Sequence, residues 1–528
     1  MSTETTHPSI RRSVQKQFLA CEEAFDLFFG GAHNPLRHLG ALGLYLLWII
    51  VGTGLYLYAV LDTGVAQVYA SIGYLSDEQW YFGGILRSLH RYASDAFMLV
   101  MALHLLREWA YGRYTGFRFY SWITGIPLIW LAFASGIGGY WIVWDQLAQF
   151  SAVATTELLD WLPIFSEPSA RNFLAPDSVN DRLFTLLVFI HIGLPILLMA
   201  GLWAHVHRIA HVDHLPSGKL MRDTALALLA LSLLKPALSD APANLSTTPA
   251  ETRLDWFFLF IHPLTDLSSP AIIWTLLFAA TALLFALPFL PAKKSPPVPV
   301  AVVDPANCNG CTRCQVDCPY GAVIMAPHPA RRGYQVAEVD ADLCASCGIC
   351  AGACPSSTPF RSSERLITGI DMPQLPVNAL RAELEQKLGG LTGNTRIVVF
   401  GCNHGAALER IAAPDTAVMS LICTGMLPPS FVEYALRTGA DGVIIANCRE
   451  GGCEYRLGER WTSERLARQR EPQLREKVPA ERLQIAFASA SDTARLHHVL
   501  IEFRARIEAE SDSRKKLQPY LRRTAHHA

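Results

Sequence analysis

Charged side chains are scarce in this chain of 528 residues, at 17% of the composition, where a soluble domain has roughly 25%. Part of the chain is therefore expected to avoid water. The net charge of −1 excludes the strong positive balance that is typical of nucleic-acid-binding proteins. The first residues contain no apolar stretch of the signal-peptide kind, so we expect no cleaved leader. Without export, the 13 cysteines are expected to bind metal rather than form disulfides.

Cysteine and positive charge are unevenly distributed along the chain. Residues 1–292 contain 16 of the 45 Lys and Arg residues and one cysteine, Cys21, while the remaining 236 residues contain 29 Lys and Arg and 12 cysteines. A proline-rich stretch at 291–303 separates the two parts, and we predict that it is a linker. Cys21 lies in a predicted amphipathic segment, 1–34, and is expected to be unligated.

Six apolar runs predict a membrane-spanning helical bundle over 35–290. They lie near 40–61, 83–106, 124–144, 183–207, 222–238 and 270–290. The run at 222–238 is short and contains Lys235, so it is the weakest of the six. Basic residues concentrate in alternate connections, which predicts that both ends of the bundle face the cytoplasm. A soluble bundle of buried helices is the alternative, and the alternating charge disfavours it.

Two pairs of histidines share one spacing. His90 and His104 are 14 residues apart on the second run, and His191 and His205 are 14 apart on the fourth. Fourteen residues are nearly four helical turns, so each pair lies on one helix face, with about 21 Å between its members. Imidazole is an axial ligand of haem iron. The two helices could therefore hold two b haems, one between His90 and His191 and one between His104 and His205.

Glycines on the neighbouring runs repeat this spacing. Gly40 and Gly54 are 14 residues apart on the first run, and Gly125 and Gly139 are 14 apart on the third. The lack of a Cβ would let a flat porphyrin approach the backbone, although packing of helices through small residues is an alternative. Arg91, beside His90, is a further candidate for cofactor binding.

The stretches that carry these residues resemble the b cytochrome of respiratory and photosynthetic cytochrome bc complexes, along about 35–290. They include RSLHRYASDAF, LHLLREWAYGRY, FIHIGLPILLMAGLWAHVHR and TPAETRLDWFFLF. The resemblance implies a two-haem core that reacts with quinone, and a homodimer.

The quinone sites of that family are only partly matched. The outer quinol motif Pro-Glu-Trp-Tyr reads Leu-Asp-Trp-Phe at 254–257, so Asp255 is either a proton acceptor or a helix cap. The nearest matches to the inner site are His211 and Arg222-Asp223. His211 and Asp223 are therefore candidate proton-handling groups, with solvated loop residues as the alternative.

The motif Cys-x2-Cys-x2-Cys-x3-Cys-Pro occurs twice, and it resembles bacterial two-cluster ferredoxins over about 304–362. In that pattern three close cysteines hold three irons of a 4Fe–4S cluster, and the fourth cysteine ligates the other cluster. Zinc is the alternative, and it favours other spacings. The predicted ligand sets are Cys308, Cys311, Cys314 and Cys354 for one cluster, and Cys344, Cys347, Cys350 and Cys318 for the other.

Strand-like and helix-like runs alternate over 390–510, which predicts a small α/β domain with a parallel sheet. Helices are predicted at 428–439, 463–478 and 493–510, and a disordered tail at 511–528. Four cysteines follow the first three predicted strands and should meet at one sheet edge: Cys402, Cys423, Cys448 and Cys453. They could bind a 2Fe–2S cluster or zinc, or remain free.

The stretch from VVFGCNHG to CEYRLGE resembles the delta subunit of methyl-viologen-reducing hydrogenases over about 395–470. That family passes electrons to a heterodisulfide-reductase flavoprotein through a 2Fe–2S cluster, which the resemblance implies here. The family usually has a Cys-x-x-Cys at the first position, and Gly405 replaces its second cysteine.

The predicted fold class is multidomain: an all-α transmembrane haem-binding bundle, an α+β ferredoxin-like iron–sulfur domain and a small α/β domain. No G-x-G-x-x-G follows a predicted strand, so a partner flavoprotein or dehydrogenase is expected to handle the organic substrate. We expect an inner-membrane, multi-pass electron-transfer subunit that exchanges electrons with quinone, its iron–sulfur domains on the cytoplasmic side. The alternatives are a quinol-oxidising core of a bc-like complex and a redox-sensing membrane anchor.

Overall fold

The computed structural model describes residues 10–164, 167–174, 178–247, 255–290, 299–361, 367–490 and 492–524, with side chains described as far as residue 510. The chain forms two compact units: Met1–His207 with Val212–Pro291, and Arg208–His211 with Ala292–Ala528. The division after Pro291 falls inside the predicted linker, whose residues 291–298 lie outside the described part.

The first unit is helical. Its helices are α1 (Ile10–Phe29), α2 (Leu39–Val60), α3 (Val68–Asp77), α4 (Ile85–Ala110), α5 (Phe119–Val143), α6 (Gln146–Asp160), α7 (Asp181–Val206), α8 (Gly218–Leu234), α9 (Ile261–Leu267) and α10 (Pro270–Ala286). Side-chain caps begin several of them. Asn180 accepts hydrogen bonds from the first N–H groups of α7, and Asp145 does so for α6, which satisfies donors that have no partner within the helix.

Within the described residues, four helices are long and apolar enough to cross a membrane: Leu39–Val60, Gly116–Val143, Asp181–Val206 and Pro270–Phe289. They coincide with the first, third, fourth and sixth predicted spans. The other two predicted spans are helical but do not meet this measure. Helix α4 contains Arg87, Arg91 and Asp95, and α8 has 17 residues, fewer than the ~20 that span the hydrocarbon.

The bundle has a mixed apolar core and an apolar outer surface. Helix α2 packs along α4, and α5 packs along α7. Leu46, Phe97, Leu128 and Leu198 bring these four helices into one buried cluster. Phe189 of α7, in contrast, has 72% of its surface exposed. Apolar side chains that point outward suit contact with lipid rather than water.

The second unit combines short strands and helices. Its helices are α11 (Arg313–Asp317), α12 (Ile349–Ala353), α13 (Val377–Gly389), α14 (Ser430–Arg437), α15 (Gly458–Leu466) and α16 (Thr493–Thr524). Its strands are β1 (Val302–Val303), β2 (Val323–Pro327), β3 (Gln335–Val339), β4 (Ile370–Asp371), β5 (Ile397–Cys402), β6 (Thr416–Leu421), β7 (Gly442–Asn447) and β8 (Leu483–Phe487).

The last four strands form the predicted parallel sheet. Its order is β6-β5-β7-β8, and every neighbouring pair is parallel. Alternate residues of β5 point to opposite faces. Phe400 packs with Phe431 of α14, while Val399 packs with Phe503 of α16. The sheet is therefore covered on both faces, as parallel sheets require.

Two predictions for this unit are wrong in their extent. The helix predicted at 463–478 ends at Leu466, because Arg468 adopts a left-handed φ of 63° and Pro472 cannot continue a helix. The tail predicted to be disordered from 511 continues α16 as far as Thr524. Its Arg, Lys, Leu and Gln residues have good helix propensity and extend a helix that has already begun.

Candidate functional site

The first pair of predicted haem ligands faces each other across the helices. His90 of α4 and His191 of α7 have ring centroids 6.3 Å apart. Two imidazoles that bind one iron from opposite sides, each through an Fe–N bond of ~2 Å, place their ring centres roughly 6 Å apart. The spacing therefore fits one haem iron between these two rings.

Hydrogen bonds determine which nitrogen of each ring is free. Nδ1 of His90 lies 3.0 Å from the carbonyl oxygen of Ile50, and Nδ1 of His191 lies 3.0 Å from that of Ser135. A carbonyl oxygen only accepts, so Nδ1 carries the proton in both rings. The lone pair of each Nε2 is then available to iron, as for a metal-binding histidine oriented by its second nitrogen.

The second pair lies one haem level away on the same helices. His104 of α4 and His205 of α7 are close enough to interact electrostatically. Nδ1 of His205 is 3.3 Å from Oγ1 of Thr124, a contact to α5 that resembles those of the first pair. The structure thus brings the four predicted ligands together in the two predicted pairs.

Each of the four predicted glycines faces one of the four histidines. A Cβ built at Gly54 would lie 3.0 Å from Cε1 of His90, and one built at Gly139 would lie 2.9 Å from Cε1 of His191. The corresponding distances are 3.1 Å from Gly125 to His205 and 3.9 Å from Gly40 to His104. The glycines therefore make room for the imidazole rings, whereas the sequence predicted room for the porphyrin.

Arg91, the predicted cofactor-binding arginine, is engaged by protein groups. Its guanidinium forms ion pairs with Asp95 and Asp255. It also lies over the ring of Tyr140, 4.8 Å from the centroid. Arg91 thus links the haem-bearing helix α4 to the residue that was predicted for the outer quinol site.

Asp255 has two structural roles in this position. Its Oδ1 accepts hydrogen bonds from the N–H groups of Phe257 at 2.6 Å and Phe258 at 2.8 Å, so it caps the turn before α9. Burial alone would raise the pKa of this carboxyl group, but the Arg91 guanidinium and the hydrogen bonds outweigh it, and the pKa is lowered. An ionised, fully engaged carboxylate is a poor proton acceptor.

The two candidates for the inner quinone site belong to different units. His211 groups with the second unit, where its Nε2 lies 2.7 Å from the carbonyl oxygen of Val316. Asp223 lies in α8 of the first unit, and Arg222 donates to it at 3.0 Å. The structure does not bring these two residues into one site within a unit.

The first ferredoxin-type site has the crossed ligand set that the motif predicts. Cys308, Cys311, Cys314 and Cys354 line one cavity. Burial raises the pKa of the Cys314 thiol to about 12, and the charges of Cys354, Cys311 and Cys308 add to the rise. Because a metal ligand must be a thiolate, binding of iron here would release protons.

The second ferredoxin-type site contains the other four cysteines. Cys318, Cys344 and Cys347 all raise the pKa of the fully buried Cys350 thiol, after the larger effect of burial itself. Both cysteine loops use the same backbone device. The residues two and four after the first cysteine have left-handed φ values: Gly310 and Thr312 in one loop, Ser346 and Gly348 in the other.

The four remaining cysteines meet at the carboxyl edge of the sheet. Cys448 forms hydrogen bonds with Cys402 and Cys453, and Cys453 forms one with Cys423. These bonds lower the pKa of Cys402 and Cys453 and raise the pKa of Cys448 and Cys423. All four thiols are buried. We call this group the four-thiol site.

The cysteine geometry also bears on zinc. Structural zinc requires four ligands around one ion, but among the described residues no group of three or more His, Cys, Asp or Glu side chains is arranged to hold a metal ion. Iron–sulfur clusters distribute their cysteines over several irons, and a haem iron takes two histidines. The zinc alternatives are therefore disfavoured. Cys21, predicted to be unligated, is exposed on α1.

Several buried residues beside these sites were not found from the sequence. Glu459 of α15 is buried against Cys453, and burial together with that thiolate raises the pKa of Glu459. Arg465 is fully buried and pairs with Asp317, which lies one residue before the cluster ligand Cys318. Both contacts join distant parts of the chain, so no local motif marks them.

The bundle, its histidine pairs and the cysteine sites together define a membrane protein that transfers electrons through haem and iron–sulfur centres. Three family models match the chain in the predicted order: Cytochrome b/b6/petB over residues 27–212, 4Fe-4S dicluster domain over 303–358, and Methyl-viologen-reducing hydrogenase, delta subunit, over 396–509. The predicted fold class and the three resemblances are thereby confirmed. The cytochrome match ends at 212, before α8, α9 and α10.

Among solved structures, a chain titled "Hyperthermophilic respiratory Complex III" is similar to this protein. The match covers 49% of this chain and 76% of that chain, with 20% sequence identity and a TM-score of 0.40.

Proposed function

We propose that this chain is the electron-transfer subunit of a quinone oxidoreductase in the cytoplasmic membrane. It couples a cytoplasmic flavoprotein or dehydrogenase partner to the quinone pool through a 2Fe–2S cluster, two 4Fe–4S clusters and two b haems. The observation that carries this proposal is the 6.3 Å spacing of His90 and His191, with their Nδ1 protons directed to carbonyl oxygens and away from the iron position.

The proposed cofactors are one-electron carriers that the chain's own side chains hold and orient. His90, His104, His191 and His205 would hold the two haems, and the ferredoxin-type cysteines the two 4Fe–4S clusters. The four-thiol site supplies the four ligands that a 2Fe–2S cluster takes. These carriers would supply electrons singly, while quinone reduction also needs two protons.

The proton-handling group that we favour is Asp223. Its side chain is 34% exposed, against 4% for Asp255. Asp255 is held by Arg91 and by two backbone N–H groups, whereas Asp223 pairs only at the surface with Arg222 among the contacts given for it. We therefore place quinone chemistry on the side of α8 and assign Asp255 to structure.

The sidedness, partner and oligomer of the proposal rest on sequence. Basic residues in alternate connections place the chain ends and the iron–sulfur unit on the cytoplasmic side. The match to the hydrogenase delta subunit supports a flavoprotein or heterodisulfide-reductase-like partner at the four-thiol site. Resemblance to b cytochromes supports a homodimer in the lipid bilayer.

Haem reoxidation tests the proposal. Purified protein is reduced with dithionite, the excess is removed, and the b-haem absorbance is followed after a quinone analogue is added. Asp223→Asn is expected to slow reoxidation on the order of 100-fold, the lower range for loss of an acid–base group. Asp255→Asn, which keeps an oxygen to cap the turn, is expected to reoxidise at the rate of the unaltered protein.

Two other outcomes separate the alternatives. A rate lost in Asp255→Asn and kept in Asp223→Asn would support the quinol-oxidising core of a bc-like complex. Unaltered protein that binds haem but exchanges no electrons with quinone would support the redox-sensing membrane anchor.

A further inference from the structure

Three glycines of the second unit meet where two cysteine sites adjoin. A Cβ built at Gly352 would lie 2.1 Å from the carbonyl oxygen of Gly425, and one built at Gly425 would lie 2.9 Å from Cα of Gly458. One built at Gly458 would lie 2.0 Å from Sγ of Cys423. We call these three residues the glycine junction.

The junction connects ligand loops of different cysteine sites. Gly352 lies in α12, two residues after Cys350 of the second ferredoxin-type site. Gly425 lies two residues after Cys423 of the four-thiol site, and its N–H donates to Cys423 Sγ at 3.4 Å. Because backbone touches backbone here, the two sites are closer than any pair of residues with side chains would permit.

The thiols themselves confirm that these two sites are neighbours. Burial raises the pKa of the Cys347 thiol, and the charge of Cys453, in the four-thiol site, adds to the rise. The pKa of Cys423 is raised partly by Cys347 in return. The first ferredoxin-type site shows the opposite character on one side, because its ligand Cys311 is exposed.

Buried ion pairs hold the junction closed. Nη1 of Arg465 donates to the carbonyl oxygen of Gly425 at 2.7 Å, and its Nη2 pairs with Asp317. Arg470 pairs with the other oxygen of Asp317 at 2.6 Å. Nε1 of Trp461 donates to the Asp317 carbonyl oxygen at 3.1 Å. The segment around Asp317 and Cys318 is thereby fastened to the part of the chain that carries the four-thiol site.

We propose that Gly352, Gly425 and Gly458 are positioning residues that set the electron-transfer distance between the four-thiol site and the cluster of Cys318, Cys344, Cys347 and Cys350. The inference rests on the proposed function in one respect, that the four-thiol site holds a redox cluster. The step moves one electron, oxidises one centre and reduces the other, and neither breaks a bond nor moves a proton. The cluster of Cys308, Cys311, Cys314 and Cys354 is then the outer end of the relay.

Magnetic coupling between reduced clusters tests the junction without an activity assay. The full-length protein, with its cofactors, is fully reduced and examined by electron paramagnetic resonance. Gly352→Ala forces a Cβ against a backbone oxygen that cannot move aside cheaply, so it should weaken the splitting between the two centres. The matched control is Gly389→Ala at the end of α13, where a Cβ would meet nothing within 4 Å, and it should retain the splitting.

A second pair of variants identifies the coupled cluster. Cys347→Ser should remove the splitting from the signal of the four-thiol site, and Cys311→Ser should leave it. If Gly352→Ala retains its iron and the full splitting, the junction proposal is overturned while the proposed function stands. If the unaltered protein shows no third cluster signal, the cofactor assignment of the proposed function fails, and the junction proposal fails with it. The same splitting loss in Cys311→Ser and Cys347→Ser would overturn the proposed order of the relay.

Discussion

The haem ligands and the cluster ligands are positioned by different physical means. In the first unit, four histidines lie on two long helices, and the helical repeat alone places each pair on one face. In the second unit, short loops with left-handed residues gather the cysteines, and each ferredoxin-type site takes one ligand from the other motif. Regular helices thus tolerate change between the ligands, while the cysteine loops depend on contacts far apart in sequence.

The largest expected effect is at a crossed ligand. Cys318→Ser lies in the first motif but should destroy the cluster of the second, with loss of one 4Fe–4S signal and its iron. The measurement is iron content together with the electron paramagnetic resonance spectrum of the reduced protein. Cys21→Ser, at an exposed thiol, is the matched control and should change neither. Loss of the signal that depends on Cys308 would show that the ligands are not crossed.

A smaller effect is expected from a glycine beside a haem ligand. Gly139→Ala would place a Cβ 2.9 Å from Cε1 of His191, whereas a Cβ at the adjacent Gly138 would meet nothing within 4 Å. Gly139→Ala should therefore displace the imidazole and lower the haem content or shift the b-haem spectrum. Gly138→Ala should leave both unchanged. Equal spectra for the two variants would contradict the role assigned to Gly139.

Sequence reasoning succeeds here where the pattern is periodic or contiguous. The spacing of His90 and His104 needs only the helical repeat, and the crossed use of Cys318 and Cys354 follows from the ferredoxin motif. The four predicted strands of the last domain are all present, because buried parallel strands are continuous apolar runs. These features depend on near neighbours in the chain, so a single sequence contains them.

The remainder depends on contacts between distant residues. Arg91 and Asp255 are separated by 164 positions, so the ion pair that engages the predicted quinol-site carboxylate has no local signature. The glycine junction is similar, because Gly352 and Gly425 are unremarkable in sequence and matter only through each other. Charges along α4 that lower its hydropathy have buried or half-buried partners across the bundle, which a count of residues does not detect.

The smallest expected effect concerns the loop that follows Cys448. Arg449 donates to Asp492 through Nε at 2.6 Å and Nη2 at 2.7 Å, and both side chains are 9% exposed. Although burial raises the pKa of Asp492, hydrogen bonds from Ser489 and the Arg449 guanidinium lower it overall. A carboxylate with a lowered folded-state pKa stabilises the fold above its unfolded value of about 4, and the contribution is lost as pH falls below that value.

Asp492→Asn should therefore destabilise the second unit by about 1–3 kcal/mol at neutral pH, the range for a hydrogen bond to a charged group. The difference from the unaltered protein should shrink below pH 4, since the aspartate is then protonated as well. Denaturant unfolding of the full-length protein, followed by tryptophan fluorescence and by cluster absorbance, measures both quantities. Asp342→Asn, at an exposed aspartate, controls for the loss of one negative charge. A difference that stayed constant from neutral pH to pH 3 would mean that the amide damages the loop for reasons other than charge. The haem spectrum should not change, because this loop belongs to the unit in which the cysteine sites depend on distant ion pairs.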